Sequence, residues 1–384
     1  MRTLSSLVVA CALAGAAVSQ NQAIQLTTGV DGGVDYAYNA LMLPATGITV
    51  EAWVTFDDST VPTGFYYWPT VARQNVNPNQ ESWNLRVSSG NAGARSLQFI
   101  IRTTANALYS ATYNFAAGEF LQPTHLAGTF DGQTIRIHKN GVQVATYVIP
   151  GTYALNNLGG TLRVGNGDPV APGREAWNGT IDELRVWPMA RTAGEIAASM
   201  GQELAGMPGG VLAFHMNGTY DETDHNLVGS TFGTIGFVPS QAALTSLAPL
   251  TFQQGAATTT CTRIPELTLG SAPTLGNADF SLYCVRGPLP ANANLGVVIA
   301  AFGAAPGSQP PFFGVNLAFD INTVVAQSLL LPATTLLGNA RFQLPLPTDP
   351  SFTGVGFLFQ FGFQDAACGP QGFTASNGLL FLMQ

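Results

Sequence analysis

The sequence predicts an all-β protein, an antiparallel two-sheet β-sandwich followed by a second, smaller β-sandwich-like domain. Three observations carry that prediction. Gly (43) and Pro (24) are abundant without a collagen period, which calls for many short strands joined by turns. Apolar and polar residues alternate at period two in several segments, the pattern of half-buried strands. A single stretch reads as helix. The 384 residues suffice for two domains, and 46% hydrophobic residues supply their cores.

The elements follow in order. Residues 1–19 read as a signal peptide, with Arg2 as the positive start, Leu4 to Ala17 as the apolar run, and small residues at Ala17-Val18-Ser19 before Gln20. Val8-Val9-Ala10-Cys11 also fits a lipoprotein signal loosely. The apolar run is too short to span a bilayer, so the expected location is secreted or at the cell surface. From Ile48 to Phe56, the residues Ile48, Val50, Ala52, Val54 and Phe56 share one face, and Trp83 to Val87 alternates in the same way. Lys139-Asn140-Gly141-Val142 is a two-residue hairpin signal, because Asn-Gly accepts the positive φ of a type I′ turn. Closing it there pairs Ile137 with Val144 and His138 with Gln143. Thr180 to Trp187 is another strand. Thr192-Ala193-Gly194-Glu195 is a capping box, opening a helix through about Leu204.

The first domain is expected over 20–247, a low-charge linker over 248–258, and a C-terminal β domain over 259–384. Phe357, Phe359, Phe361 and Phe363 alternate along one strand there, a sandwich core. With Cys11 removed, Cys261, Cys284 and Cys368 remain, and an oxidising compartment implies one disulfide among them. Cys284 alternates with Phe280 and Leu282 as a strand residue. Cys261 and Cys368 sit near turns, which favours that pair.

Charge excludes several partners. Charged residues make up 9% of the chain, the formal net charge is −8, and Lys139 is the only lysine. A phosphate-binding surface needs clustered Lys and Arg, so neither nucleic acid nor an anionic membrane is expected. A polysaccharide or a cell-surface protein is the expected partner, and no transmembrane segment is expected.

Four ordered motifs over about residues 24–200 carry a resemblance. They are Val30-Asp31-Gly32-Gly33-Val34-Asp35-Tyr36, the Ile48–Phe56 strand, His125-Leu126-Ala127-Gly128-Thr129-Phe130-Asp131-Gly132 with Lys139-Asn140-Gly141, and Gly179-Thr180-Ile181-Asp182-Glu183-Leu184-Arg185-Val186-Trp187. Together they resemble the LamG-like (concanavalin A-like) jelly-roll domain. Gln122-Pro123-Thr124 stands where that family has a tryptophan before the histidine strand. The C-terminal part resembles an uncharacterised β domain of secreted planctomycete-like bacterial proteins, through Pro273-Thr274-Leu275-Gly276, the Leu-Pro turn and the closing Ser376-Asn377-Gly378.

The function expected from this is non-catalytic recognition of carbohydrate or a surface partner. A structural or adhesive envelope role is the alternative, and a divergent glycosidase a third. Asp182 and Glu183 are adjacent and lack the spacing of a glycosidase carboxylate pair, and no nucleophile elbow or zinc-protease motif occurs. Strand parity puts Asp182 with Leu184 and Val186 on the core face, where a carboxylate needs a cation or several N–H donors. The resemblance implies a structural Ca²⁺ there, shared by Asp182, Asp31 and the backbone near Gly33; the other reading is a carboxylate capping backbone N–H groups. Glu183 and Arg185 are expected as a weak surface pair. Tyr66, Tyr67 and Trp68, in a loop after Phe56, and Trp177 are the candidate sugar-stacking residues.

Overall fold

The computed structural model describes residues 21–27, 30–45, 47–60, 67–74, 80–89, 95–167, 175–204, 210–242, 244–246, 252–254, 261, 263–289, 293–302, 317–318, 324–328, 337–368 and 372–384. The chain is nearly all-β. Its first unit holds β1 (Gln22–Leu26), β2 (Gly32–Tyr36), β3 (Ile48–Val54), β4 (Thr70–Gln74), β5 (Trp83–Ser89), β6 (Arg95–Arg102), β7 (Leu108–Asn114) and β8 (Thr124–Phe130). β9 (Thr134–Lys139), β10 (Val142–Val148), β11 (Leu162–Val164), β12 (Gly179–Trp187), α1 (Ala193–Ser199), β13 (Gln202–Glu203), β14 (Leu212–Phe214), β15 (Gly229–Gly233) and β16 (Gly236–Pro239) complete it. Then come β17 (Thr245–Ser246), β18 (Phe252–Gln254), β19 (Glu266–Leu269), β20 (Ser281–Val285), β21 (Ala293–Phe302), β22 (Val324–Ser328), β23 (Ala340–Gln343), β24 (Gly356–Asp365), β25 (Phe373–Ala375) and β26 (Leu379–Leu382). No helix among the described residues is long and apolar enough to cross a membrane.

The first unit is a sandwich of two antiparallel sheets. One has eight strands, ordered β10-β9-β8-β3-β12-β1-β16 with β14 beside β12; the other has seven, ordered β15-β2-β11-β4-β5-β6-β7. Alternation decides which side chains lie between them. Ile48, Val50, Ala52, Val54 and Phe56 are all at most 1% exposed, and they meet Trp83, Leu85 and Val87 from the facing sheet in one core. The β9–β10 hairpin turns on Asn140 (φ 49°) and Gly141 (φ 76°). His138 faces Gln143 as the turn dictates, but Ile137 faces Ala145 rather than Val144. A β-bulge there sets Val144 aside as the extra residue.

The capping box forms as the sequence predicts. Thr192 Oγ1 accepts from the Glu195 N–H and Glu195 Oε2 from the Thr192 N–H. The helix stops at Ser199, not near Leu204, because Gln202–Glu203 turns away to pair in parallel with Thr245–Ser246.

The second unit holds a six-stranded and a three-stranded sheet. Phe359, Phe361 and Phe363 are buried in its core and Phe357 packs against it. Phe252–Gln254, within the stretch read as linker, pairs with the C-terminal strand β26. Cys261 and Cys368 form the disulfide, and Cys284 is a free buried thiol on β20.

Candidate ligand-binding face

A β-sandwich offers ligands the outer faces of its two sheets and their rims. The middle of the outer face of the eight-stranded sheet is closed. Its residues are Thr49, Glu51 and Trp53 on β3, His125 on β8, His138 on β9, and Asp182, Arg185 and Trp187 on β12. All but Trp53 are at most 2% exposed. α1 and the second unit cover them. Arg191 Nη1 donates to both oxygens of Glu51 (2.8 and 2.7 Å), and its Nε donates to the Gly270 carbonyl (2.8 Å). Trp187 donates to the same carboxylate (2.9 Å). Glu195 receives Tyr283 Oη (3.0 Å), Arg341 Nε (2.9 Å) and the Ser281 hydroxyl from the second unit.

Burial pushes the Glu51 carboxyl up, but Arg191 leads the charges that outweigh it and hold it below the ordinary value. Burial pushes both His125 and His138 down to about 4. Both His125 nitrogens lack a hydrogen-bond partner.

The outer face of the seven-stranded sheet differs. Leu85 and Val87 point into the core, so Asn84, Arg86 and Ser88 of β5 point out. Cross-strand register sets three polar rows. Asp35, Arg163, Arg73, Asn84, Ile100 and Ser110 make one, while Thr70, Arg86, Gln98 and Thr112 make the next. Ser88 and Ser96 begin the third. Arg163 is paired with Asp35 through two bonds (2.7 and 2.8 Å), and Arg73 lies between Glu81 (3.3 Å) and Glu175 (3.6 Å). Arg73 and Asn84 are buried, but Arg86, Ser88, Ser96, Gln98 and Ser110 are half-buried and Thr112 is exposed. Arg86 Nε donates to Gln98 Oε1 (3.2 Å), and the guanidinium sits 5.4 Å from the centre of the Trp68 ring. Burial leads the effects that lower the Arg86 pKa. From β5 to β7, this face presents hydrogen-bonding side chains to solvent.

Comparison with known proteins bears on the sandwich. Residues 28–197 match the family model of the concanavalin A-like lectin/glucanases superfamily, laminin G type. This stretch is a concanavalin A-like jelly-roll domain. Among solved structures, a Bacteroides ovatus protein described as carbohydrate-binding is 16% identical at a TM-score of 0.43, over 59% of this chain and 61% of its own. This chain therefore spans less than two thirds of that protein. A heptameric SAP-like pentraxin of Limulus polyphemus is 13% identical at a TM-score of 0.38, over 59% of this chain and 99% of its own. The CBM40 of a Ruminococcus gnavus IT-sialidase, bound to α2,3-sialyllactose, is 13% identical at 0.35, over 45% and 95%. No curated protein sequence matches the chain.

The jelly roll scatters the residues predicted for a site. Trp177 is a core residue, not a sugar platform: it is fully buried, its ring centroid is 4.5 Å from that of Phe56, and its Nε1 donates to the Thr55 carbonyl (2.9 Å). Tyr66 lies outside the described residues. Tyr67 is half-buried and packs against the core. Of the three that are described, Trp68 alone reaches the polar face, beside Arg86.

The expected calcium ligands do not converge. The Asp31 carbonyl accepts from Thr234 N–H, and the Asp31 carboxylate accepts from Asn166 (2.6 Å). Asp182 accepts from Ser240 Oγ. Thr234 and Ser240 flank β16, so roughly 13 Å of strand lies between the two aspartates. Gly33 is explained by packing, since a Cβ there would stand 2.7 Å from the Val164 carbonyl oxygen and 2.8 Å from the Phe232 ring.

Asp182 is also on the other face from the one parity predicts. A β-bulge between Asp182 and Arg185, with Glu183 at φ 49°, flips the phase. Ile181, Leu184 and Val186 face the core, while Asp182, Arg185 and Trp187 face out. Burial pushes the Asp182 carboxyl up to about 7. Glu183 and Arg185 do pair (2.8 Å), but as a buried pair, each 1% exposed, under the cover of the sheet.

Glu183, Glu203 and His215 are the three described residues whose ligand atoms converge. Glu183 already holds Arg185 on one oxygen and His215 Nδ1 (2.7 Å) on the other. The arrangement is an ion-pair cluster, and a cation would have to displace both. The residues sequence reasoning missed are Arg73, Arg86, Gln98, Glu81 and Glu175. The signal for Arg86 was present, because the Trp83–Val87 alternation places it on the polar face.

Proposed function

We propose that this chain is an extracellular, non-catalytic carbohydrate-binding protein whose ligand lies across the outer face of the seven-stranded sheet. One observation carries the reading. The middle of the eight-stranded sheet, from β8 to β12, is sealed by α1 and the second unit, whereas the β5–β7 face keeps hydroxyl, amide and guanidinium groups beside Trp68 at the surface. Sugars are recognised by hydrogen bonds from planar polar side chains together with apolar contact to an aromatic ring. The superfamily matched by residues 28–197 is named for lectins as well as glucanases, and the disulfide favours an oxidising, extracellular setting.

Hydrolysis would need an acid and a base or nucleophile at a glycosidic bond. Glu81 and Glu175 stand on the same face, but Arg73 engages both, which is an ion-pair arrangement. A glycan array probed with the full chain tests the reading. Selective binding that Trp68→Ala and Thr112→Arg weaken is the expected result. An array on which the folded chain binds nothing favours a structural envelope role instead.

A further inference from the structure

The open face holds an arginine that the protein itself does not use up. Lys139 and every other described arginine are held by a carboxylate or by backbone carbonyls. Arg86 is the exception. Its Nε is bonded to the neutral Gln98 amide and its flank lies against Trp68. Among the described residues, neither Nη1 nor Nη2 has an acceptor. The fork of this half-buried guanidinium is not among the buried atoms, so it stays open to solvent, and it fits the paired oxygens of a carboxylate or sulfate.

A second observation points to the same place. Asn84 lies two residues earlier on the same face of β5, opposite Arg73. It is 0% exposed, yet both its Nδ2 and its Oδ1 lack a partner. A buried amide with neither donor nor acceptor satisfied costs stability unless something outside the protein completes it. Asn84 and Arg86 are about 6.6 Å apart along the strand, close to the span of one sugar ring.

We infer that Asn84 and Arg86 form a two-point site for an oxyanion-bearing saccharide. Arg86 takes the carboxylate or sulfate through Nη1 and Nη2, and Asn84, closed off in this structure, exchanges hydrogen bonds with a neighbouring hydroxyl once the side chains over it part. The inference rests on the carbohydrate reading and narrows it to acidic glycans. The net charge of −8 and, among the described residues, a single guanidinium without a carboxylate or carbonyl partner argue against dense polyanions, since those need many cations at once. What is recognised is one oxyanion on a sparsely charged sugar chain.

Calorimetric titration of the full chain with carboxymethyl dextran and dextran sulfate, both of low substitution, and with neutral dextran tests this, the first two separating carboxylate from sulfate. Arg86→Gln should weaken binding of the preferred acidic glycan at least tenfold. Arg86→Lys, which keeps the charge and loses the fork, should recover little of it. Gln98→Glu gives Arg86 a carboxylate of its own, so it should fold, with an unchanged or higher Tm, and lose the acidic glycan. Arg136→Gln makes the same charge change on β9 and should bind like wild type. If Arg86→Gln and Gln98→Glu both bind the acidic glycan as wild type does, the inference is overturned. Binding of neutral dextran alone overturns it while leaving the carbohydrate reading intact, and binding of no saccharide overturns both.

Discussion

Asp182, His125 and His138 share the sealed face and give the protein a pH dependence with a definite sign. The two histidines are neutral when folded, at about 4, against 6.5 when unfolded. A depressed histidine contributes stability that is present above pH 6.5 and lost as pH falls toward 4, on the order of 3 kcal/mol each. Asp182 runs the other way. Its carboxyl is raised to about 7, so its contribution is present below about pH 4 and lost as pH rises through 7. The histidine pair outweighs it, and the melting temperature should drop between pH 6.5 and 4. Asp182→Asn should raise stability at pH 8 by a few kcal/mol and have no such effect at pH 4. Melting curves of both proteins across that range check the sign. Equal gains at both pH values would mean the aspartate carries no buried charge. Because Asp31 and Asp182 are held apart, millimolar calcium and EDTA should give the same curve.

These residues also mark what the sequence revealed. The cysteine pair was legible because one of three thiols sat at strand parity and two near turns. The face of Asp182 was not legible, since parity counting assumes an unbroken pleat and the bulge at Glu183 inserts a residue. Trp177 was misread because a tryptophan beside Asn178-Gly179 looks like a loop residue until Phe56 and Thr55 are known to surround it.

At the scale of elements, strands read well where one face meets the core, and turns where chemistry permits few alternatives. Asn140-Gly141 fixed the hairpin, although the bulge at Val144 lay beyond the turn's control. Gly141 answers to tertiary packing too. A Cβ there would lie 2.7 Å from that of Ala197 on α1, at a φ of 76°. Gly141→Ala should therefore cost more than the roughly 1 kcal/mol of a left-handed alanine, because α1 must shift off the hairpin. Gly141→Ala with Ala197→Gly should recover the steric part. Chemical denaturation of the single and double variants measures it, and additive losses would show that the helix is not the obstacle. The capping box was visible, but the second duty of Glu195, receiving Tyr283 and Arg341 from 88 and 146 residues away, was not. Nothing local distinguishes a capping glutamate from one that also docks a domain.

Across the whole molecule, the two units are joined by more than the chain. The second core includes Trp187, Met189, Leu204 and Val211, which belong to the first unit by sequence, packed with Leu267, Phe280, Leu282 and Phe361. The polar clamp of Arg191, Glu51 and Glu195 surrounds that contact and is itself fully buried. Breaking a buried, hydrogen-bonded ion pair from one side costs about 3–5 kcal/mol, and exposing four large apolar side chains adds to it. Docking should therefore survive loss of the covalent connection. A specific protease site inserted at residue 248 and cleaved would leave fragments that no disulfide joins, since Cys261 and Cys368 both lie in the second. The fragments should co-elute on size exclusion at neutral pH and unfold in one transition. Glu195→Ala should release them, or lower their shared transition. Fragments that separate without that substitution would mean the interface is too weak to seal the eight-stranded sheet, and its outer face would then compete with the β5–β7 face as a place for ligand.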